Sequence, residues 1–131
     1  MYQELKNGKT IVTKDGQHLD GSDFLGPPKT GRVIVIAGDT RPFAPLVSFA
    51  KHADLLIHEA TFRSDKQIHA RKFGHSTVSD AATLAKEAEV NQLILTHISS
   101  RYAGEEEEIE AEARSIFPQC LLASDRMIHK I

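Results

Sequence analysis

The chain has 131 residues, 40% of them hydrophobic and 26% charged, which fits one soluble domain large enough to bury a core. Its net charge of -2 excludes a nucleic-acid binder that works by bulk positive charge, but not an enzyme whose metal ions supply the local field. No apolar run approaches the length of a membrane span and Met1-Tyr2-Gln3-Glu4-Leu5-Lys6 is not a signal peptide, so no membrane contact is expected.

Residues 1–31 read as a connecting hairpin and loop. Lys9-Thr10-Ile11-Val12-Thr13 predicts a short strand, Lys14-Asp15-Gly16 a turn and Gln17-His18-Leu19 the return. Residues 20–31 are rich in turn formers and predict a surface connection. Residues 32–131 then alternate strand and helix, the pattern of an α/β domain made of one sheet with covering helices. The unbroken run Arg32-Val33-Ile34-Val35-Ile36-Ala37 predicts a strand buried on both faces, in the middle of that domain.

Pro42 suits the first turn of a helix, with Phe43, Leu46, Val47 and Ala50 at helical spacing. A strand over 54–57, a long loop, a helix over 79–88 capped by Thr77 or Ser79, and a strand over 92–96 follow. The acidic run 105–108 predicts the solvated start of a helix reaching about Ile116. Residues 119–123 and 127–131 predict closing strands about a turn at Ser124-Asp125-Arg126. The single cysteine, Cys120, reads as a buried small hydrophobe and fits a reducing cytoplasm.

Three of these strands end in residues able to bind a ligand. Gly38-Asp39-Thr40 closes the first, and Asp39 is equally well suited to cap a helix or to ligate a metal. His58-Glu59 closes the second. Neighbours in a strand point to opposite faces, so at most one of the two faces the site, where Glu59 could orient a histidine or relay a proton; the alternative is a carboxylate that satisfies loop amides. Thr96-His97 closes the third. Phe73-Gly74-His75-Ser76-Thr77 places a further histidine in a loop ahead of a helix, where backbone amides favour anionic groups. His18, His52, His69 and His129 have no such setting and read as surface residues. Lys66, Arg71, Lys72 and Arg101 flank the candidate loops, a weak signal for phosphate contact.

Taken together, Gly38-Asp39-Thr40, His58-Glu59-Ala60-Thr61, Gly74-His75-Ser76-Thr77 and Leu95-Thr96-His97-Ile98-Ser99-Ser100-Arg101-Tyr102 resemble the ribonuclease Z family of the metallo-β-lactamase superfamily, in order and in spacing. The resemblance implies half of an αβ/βα sandwich, one β-sheet with its helices, over residues 1–131. It implies a zinc-dependent endoribonuclease, with manganese as a possible substitute, that removes 3′ trailers from precursor tRNA. Asp39 would bridge two zinc ions and His97 would be a terminal ligand. Glu59 and His75 would steady and protonate the leaving 3′ oxygen, and Ser99, Ser100, Arg101 and Tyr102 would lie near the substrate backbone.

The family's His-x-His-x-Asp-His signature does not occur in this sequence, nor does its tRNA-gripping arm. The resemblance is therefore to the C-terminal half. It implies that the chain alone is inactive, that it needs the N-terminal half as a partner, and that the complete protein is a homodimer. The alternatives are another phosphodiesterase of the superfamily, or a non-catalytic module that dimerises through an exposed sheet face.

Overall fold

The computed structural model of the chain describes residues 2–131. These divide into two compact units, one ending at Gly31 and one beginning at Arg32.

The first unit holds a short helix, α1 (Tyr2–Lys6), and two paired antiparallel strands, β1 (Ile11–Val12) and β2 (His18–Leu19). The turn between the strands closes by a hydrogen bond from Thr13 N–H to the Gln17 carbonyl, 2.8 Å, and uses the left-handed backbone of Gly16, φ 80°. The hairpin therefore lies where the sequence puts it. The stretch after it is less irregular than its composition predicts, because the Asp20 carboxylate accepts the Ser22 N–H and starts a 3-10 turn over Gly21–Phe24.

The second unit is a parallel four-stranded sheet in the order β3 (Ile34–Ala37), β4 (Leu55–Glu59), β5 (Leu93–Thr96), β6 (Cys120–Leu122). The helices α2 (Ala44–Phe49), α3 (Gln67–Phe73), α4 (Val78–Glu87) and α5 (Glu106–Ile116) lie between the strands in sequence. Leu56, Leu93, Leu95 and Cys120 share one core cluster with Leu46 of α2, Val78, Ala81, Ala82 and Ala85 of α4, and Ile109 and Ala113 of α5. Small residues along α4 let it approach the strands closely, and each fully buried leucine contributes about 1.5–3 kcal/mol. Cys120 is buried there, and burial pushes its thiol pKa up to about 12, so it packs as an inert hydrophobe.

Helix α4 starts on a reciprocal cap. The Thr77 hydroxyl accepts the Asp80 N–H and the Asp80 carboxylate accepts the Thr77 N–H, at 3.2 and 2.8 Å. The three glutamates that open α5 are exposed, as their position at a helix start predicts.

Three expectations are corrected. The first strand is an edge strand and not a central one: Val35 faces the helices, while Ile34 and Ile36 face the other way and are 49% and 72% exposed. A β-branched run reports strand preference, not how many faces are covered. The long loop after β4 contains the 3-10 turn Ser64–Lys66 and helix α3. Residues 127–131 form no strand, and Ile128 lies exposed.

Candidate functional site

Parallel pairing brings strand ends to one edge. Ala37 of β3 stands opposite His58 of β4, and Glu59 of β4 opposite Thr96 of β5, so Asp39, Glu59 and His97 emerge side by side. Asp39 does not cap α2: the N-cap position is Phe43, with no side-chain cap bond, which leaves the carboxylate free for other chemistry. His75 arrives from the short link between α3 and α4. Gly74 ends α3 in the left-handed conformation, φ 77°, which turns the chain sharply enough to aim His75 at the strand ends.

Glu59 is 1% exposed and is the centre of the arrangement. One carboxylate oxygen, Oε1, accepts from Thr40 N–H (3.1 Å), Ser76 N–H (3.0 Å) and His75 Nδ1–H (2.9 Å). The other, Oε2, accepts the N–H and the hydroxyl of Thr61, each at 2.9 Å. Burial alone would raise its pKa, but the bonds from Thr61, His75 and Ser76 outweigh burial and hold it below the ordinary carboxylate range. His58 points to the helix side instead, fully buried, with Nδ1–H donating to the Glu59 carbonyl at 2.6 Å and Nε2 without a partner. Of the adjacent pair, Glu59 is the one that faces the site.

The His75 and His97 rings stack, with centroids 5.4 Å apart, and Asp39 Oδ1 lies 3.5 Å from His97 Nδ1. Asp39, His75 and His97 each offer a ligand atom, and these atoms lie within 4.8 Å of one another. An open set of two imidazoles and a carboxylate fits one divalent ion of the zinc or manganese type. Two ions of about four ligands each need more donors than this group supplies. His97 also has a left-handed backbone, φ 55°, an uncommon conformation for a side-chain-bearing residue.

Beyond His97, Ser99 and Ser100 line an open cleft of about 550 Å³ together with Thr96, Ser124 and Asp125. Arg101 is exposed, with its guanidinium 5.2 Å from the Phe62 ring centroid and Nε donating to Ser99 Oγ. Tyr102 differs from its neighbours. Its ring is buried and its hydroxyl accepts the Arg63 N–H at 3.1 Å, so it braces the loop from below. His18, His52 and His69 are exposed, as expected, while His129 is half-buried.

Sequence reasoning missed Thr61, Thr40 and Ser76 as members of the site. Ser76 Oγ donates to the Thr40 carbonyl, which ties the first strand end to the α3–α4 link. Thr61 stands two residues after a buried carboxylate, a spacing at which a hydroxyl commonly bonds back, and that is the one signal that could have flagged it.

A family model described as a beta-lactamase superfamily domain matches residues 23–98. The chain is 49% identical over 125 residues to a ribonuclease Z of Halalkalibacterium halodurans, covering 95% of this chain and 40% of that protein. It is 47% identical over 131 residues to a ribonuclease Z of Shouchella clausii, covering all of this chain and 42% of that one. Among solved structures, it is similar to human tRNase Z, short form, with a TM-score of 0.62 and 33% identity over 87% of this chain and 36% of that chain. The metallo-beta-lactamase fold protein YhfI of Bacillus subtilis gives a TM-score of 0.65 at 25% identity, over 88% and 44%. The chain thus spans about two-fifths of the length of the curated relatives it matches.

Proposed function

The chain belongs to the beta-lactamase superfamily domain family, and from that premise we propose that it supplies part of the active site of a metal-dependent endoribonuclease that removes 3′ trailers from precursor tRNA in the cytoplasm. The observation that carries the reading is the grouping of Asp39, His75 and His97 beside a Glu59 already bonded to His75.

Asp39 and His97 would hold the metal, zinc or alternatively manganese. When bound, such an ion activates water and offsets the negative charge of the phosphodiester. Glu59 fixes His75 by accepting its Nδ1–H, and in the doubly protonated ring the Nε2–H would be the proton given to the leaving 3′ oxygen, with Glu59 offsetting the positive charge. Ser99 and Ser100 line the cleft and, with the exposed Arg101, would contact the RNA backbone, Tyr102 being their support. A site for two ions needs ligands beyond these, and we assign them to a separate N-terminal part that would pack against the open face of Ile34 and Ile36, the complete protein being a homodimer.

The experiment is cleavage of labelled precursor tRNA with added Zn²⁺ or Mn²⁺ by the chain alone, and by the chain co-expressed with the remaining N-terminal segment of the Halalkalibacterium halodurans relative. The expected result is no cleavage alone and trailer removal by the pair, abolished by Asp39→Ala. Cleavage that survives Asp39→Ala, or a stable pair that leaves precursor tRNA intact, would overturn the reading.

A further inference from the structure

Thr61 carries more contacts in the site than its single hydroxyl suggests. Its Oγ1 lies 2.9 Å from Glu59 Oε2, 2.8 Å from His97 Nδ1 and 3.1 Å from His75 Nδ1. A hydroxyl has one proton to give and two lone pairs to receive with. Counting protons then fixes every role. The Glu59 carboxylate already accepts three backbone N–H groups, from Thr40, Thr61 and Ser76, so it is held as an acceptor. The Thr61 proton must go to Glu59 Oε2, since otherwise two oxygens would face each other at 2.9 Å with no proton between them. The Thr61 oxygen can then only accept from the histidines, and at 2.8 Å the group that donates is Nδ1–H of His97.

We propose that Thr61, anchored by Glu59, is a positioning residue that holds His97 as its Nδ1–H tautomer and so presents a bare Nε2 to the metal. Neutral histidine can carry its proton on either nitrogen, and the bond made by one nitrogen decides what the other can ligate. The backbone supports the same role. The Thr61 carbonyl accepts the Ser99 N–H at 3.1 Å, so one residue grips His97 by its ring and the segment just after it. That double grip helps hold His97 in its left-handed conformation. Glu59 thereby reaches both histidines: His75 directly, and His97 through the Thr61 hydroxyl.

The inference rests on the reading of His97 as a metal ligand only for its purpose, and its test does not need nuclease activity. The chain, labelled with ¹⁵N in its histidines and freed of metal, is examined by long-range ¹H–¹⁵N correlation at a pH above the histidine range. Expected is an Nδ1–H pattern for His97 in the wild type and in Thr61→Ser, with a shift toward Nε2–H in Thr61→Val. An Nε2–H pattern in the wild type overturns the inference without any variant, and so does an unchanged pattern in a folded Thr61→Val chain.

Zinc titration is the second readout. Thr61→Val is expected to weaken zinc binding by about 10–100-fold, with recovery in Thr61→Ser. A His97 tautomer that depends on Thr61, while the chain paired with the N-terminal segment of the relative binds no zinc, would support this inference and overturn the metal assignment of the proposed function.

Discussion

His75 Nδ1 lies 2.9 Å from Glu59 Oε1 across 16 positions of sequence, and the carboxylate that receives it is almost wholly buried. The pair is therefore structural as well as chemical. Glu59→Ala leaves the N–H groups of Thr40, Thr61 and Ser76 without their acceptor and should cost about 3 kcal/mol in urea unfolding. A cost below about 1 kcal/mol would mean that water replaces the carboxylate and that Glu59 is not the hub of the fold here.

Asp39 is the opposite case. Its side chain is 58% exposed and caps no helix, so Asp39→Ala should leave stability within about 0.5 kcal/mol of wild type. Zinc binding should fall sharply in the same variant. Parallel unfolding and zinc titrations check this, and the assignment of Asp39 as a ligand fails if stability drops while zinc binding is kept.

Stability should depend on pH through His58. Burial lowers its pKa from 6.5, against smaller opposing effects from the Glu59 carbonyl and from the Glu59 and Asp80 charges. The unfolded chain therefore takes up a proton near 6.5 while the folded chain stays neutral, so stability is full above 6.5 and declines as pH falls below it. His58→Leu should flatten that part of the profile. A second loss begins lower, where Glu59 and Asp80, whose hydrogen bonds outweigh their burial and hold them below the ordinary carboxylate range, become protonated. Unfolding midpoints across the range decide the matter, and a variant profile that overlays the wild type removes His58 as the cause.

Thr77→Ala should cost about 1 kcal/mol by breaking the reciprocal cap of α4. Asp80 is bonded both to Thr77 and, through two 2.8 Å bonds, to Arg71. Thr77→Ala and Arg71→Ala should therefore couple in a double-mutant cycle. Strict additivity of the two losses would show that Asp80 serves each partner independently.

The sequence made Asp39, Glu59, His75 and His97 legible because each follows an apolar strand or precedes a helix start, and parallel strands carry their ends to a common edge. Thr61 was legible at most as a partner of Glu59, since the other two groups it meets, His75 and His97, reach it only on folding. Tyr102 shares a segment with the exposed Ser100 and Arg101, and sequence alone does not say that its ring turns inward. The edge position of β3 escaped for a related reason. Composition measures how a strand prefers to be built, whereas its neighbours are set by the order in which strands pair.

That order has a consequence for how the chain comes together. The four strands lie in space in the sequence in which a ribosome would deliver them, each pairing with the one made just before it. Growth of the sheet needs no insertion between strands already in place, and each pairing closes a single crossover. The candidate site grows on the same schedule, Asp39 with the first strand, Glu59 with the second and His97 with the third. Until the third strand docks, the Thr61 hydroxyl has no His97 ring to hold, so the proposed ligand position of His97 is set late, on a scaffold whose carboxylate hub is already formed.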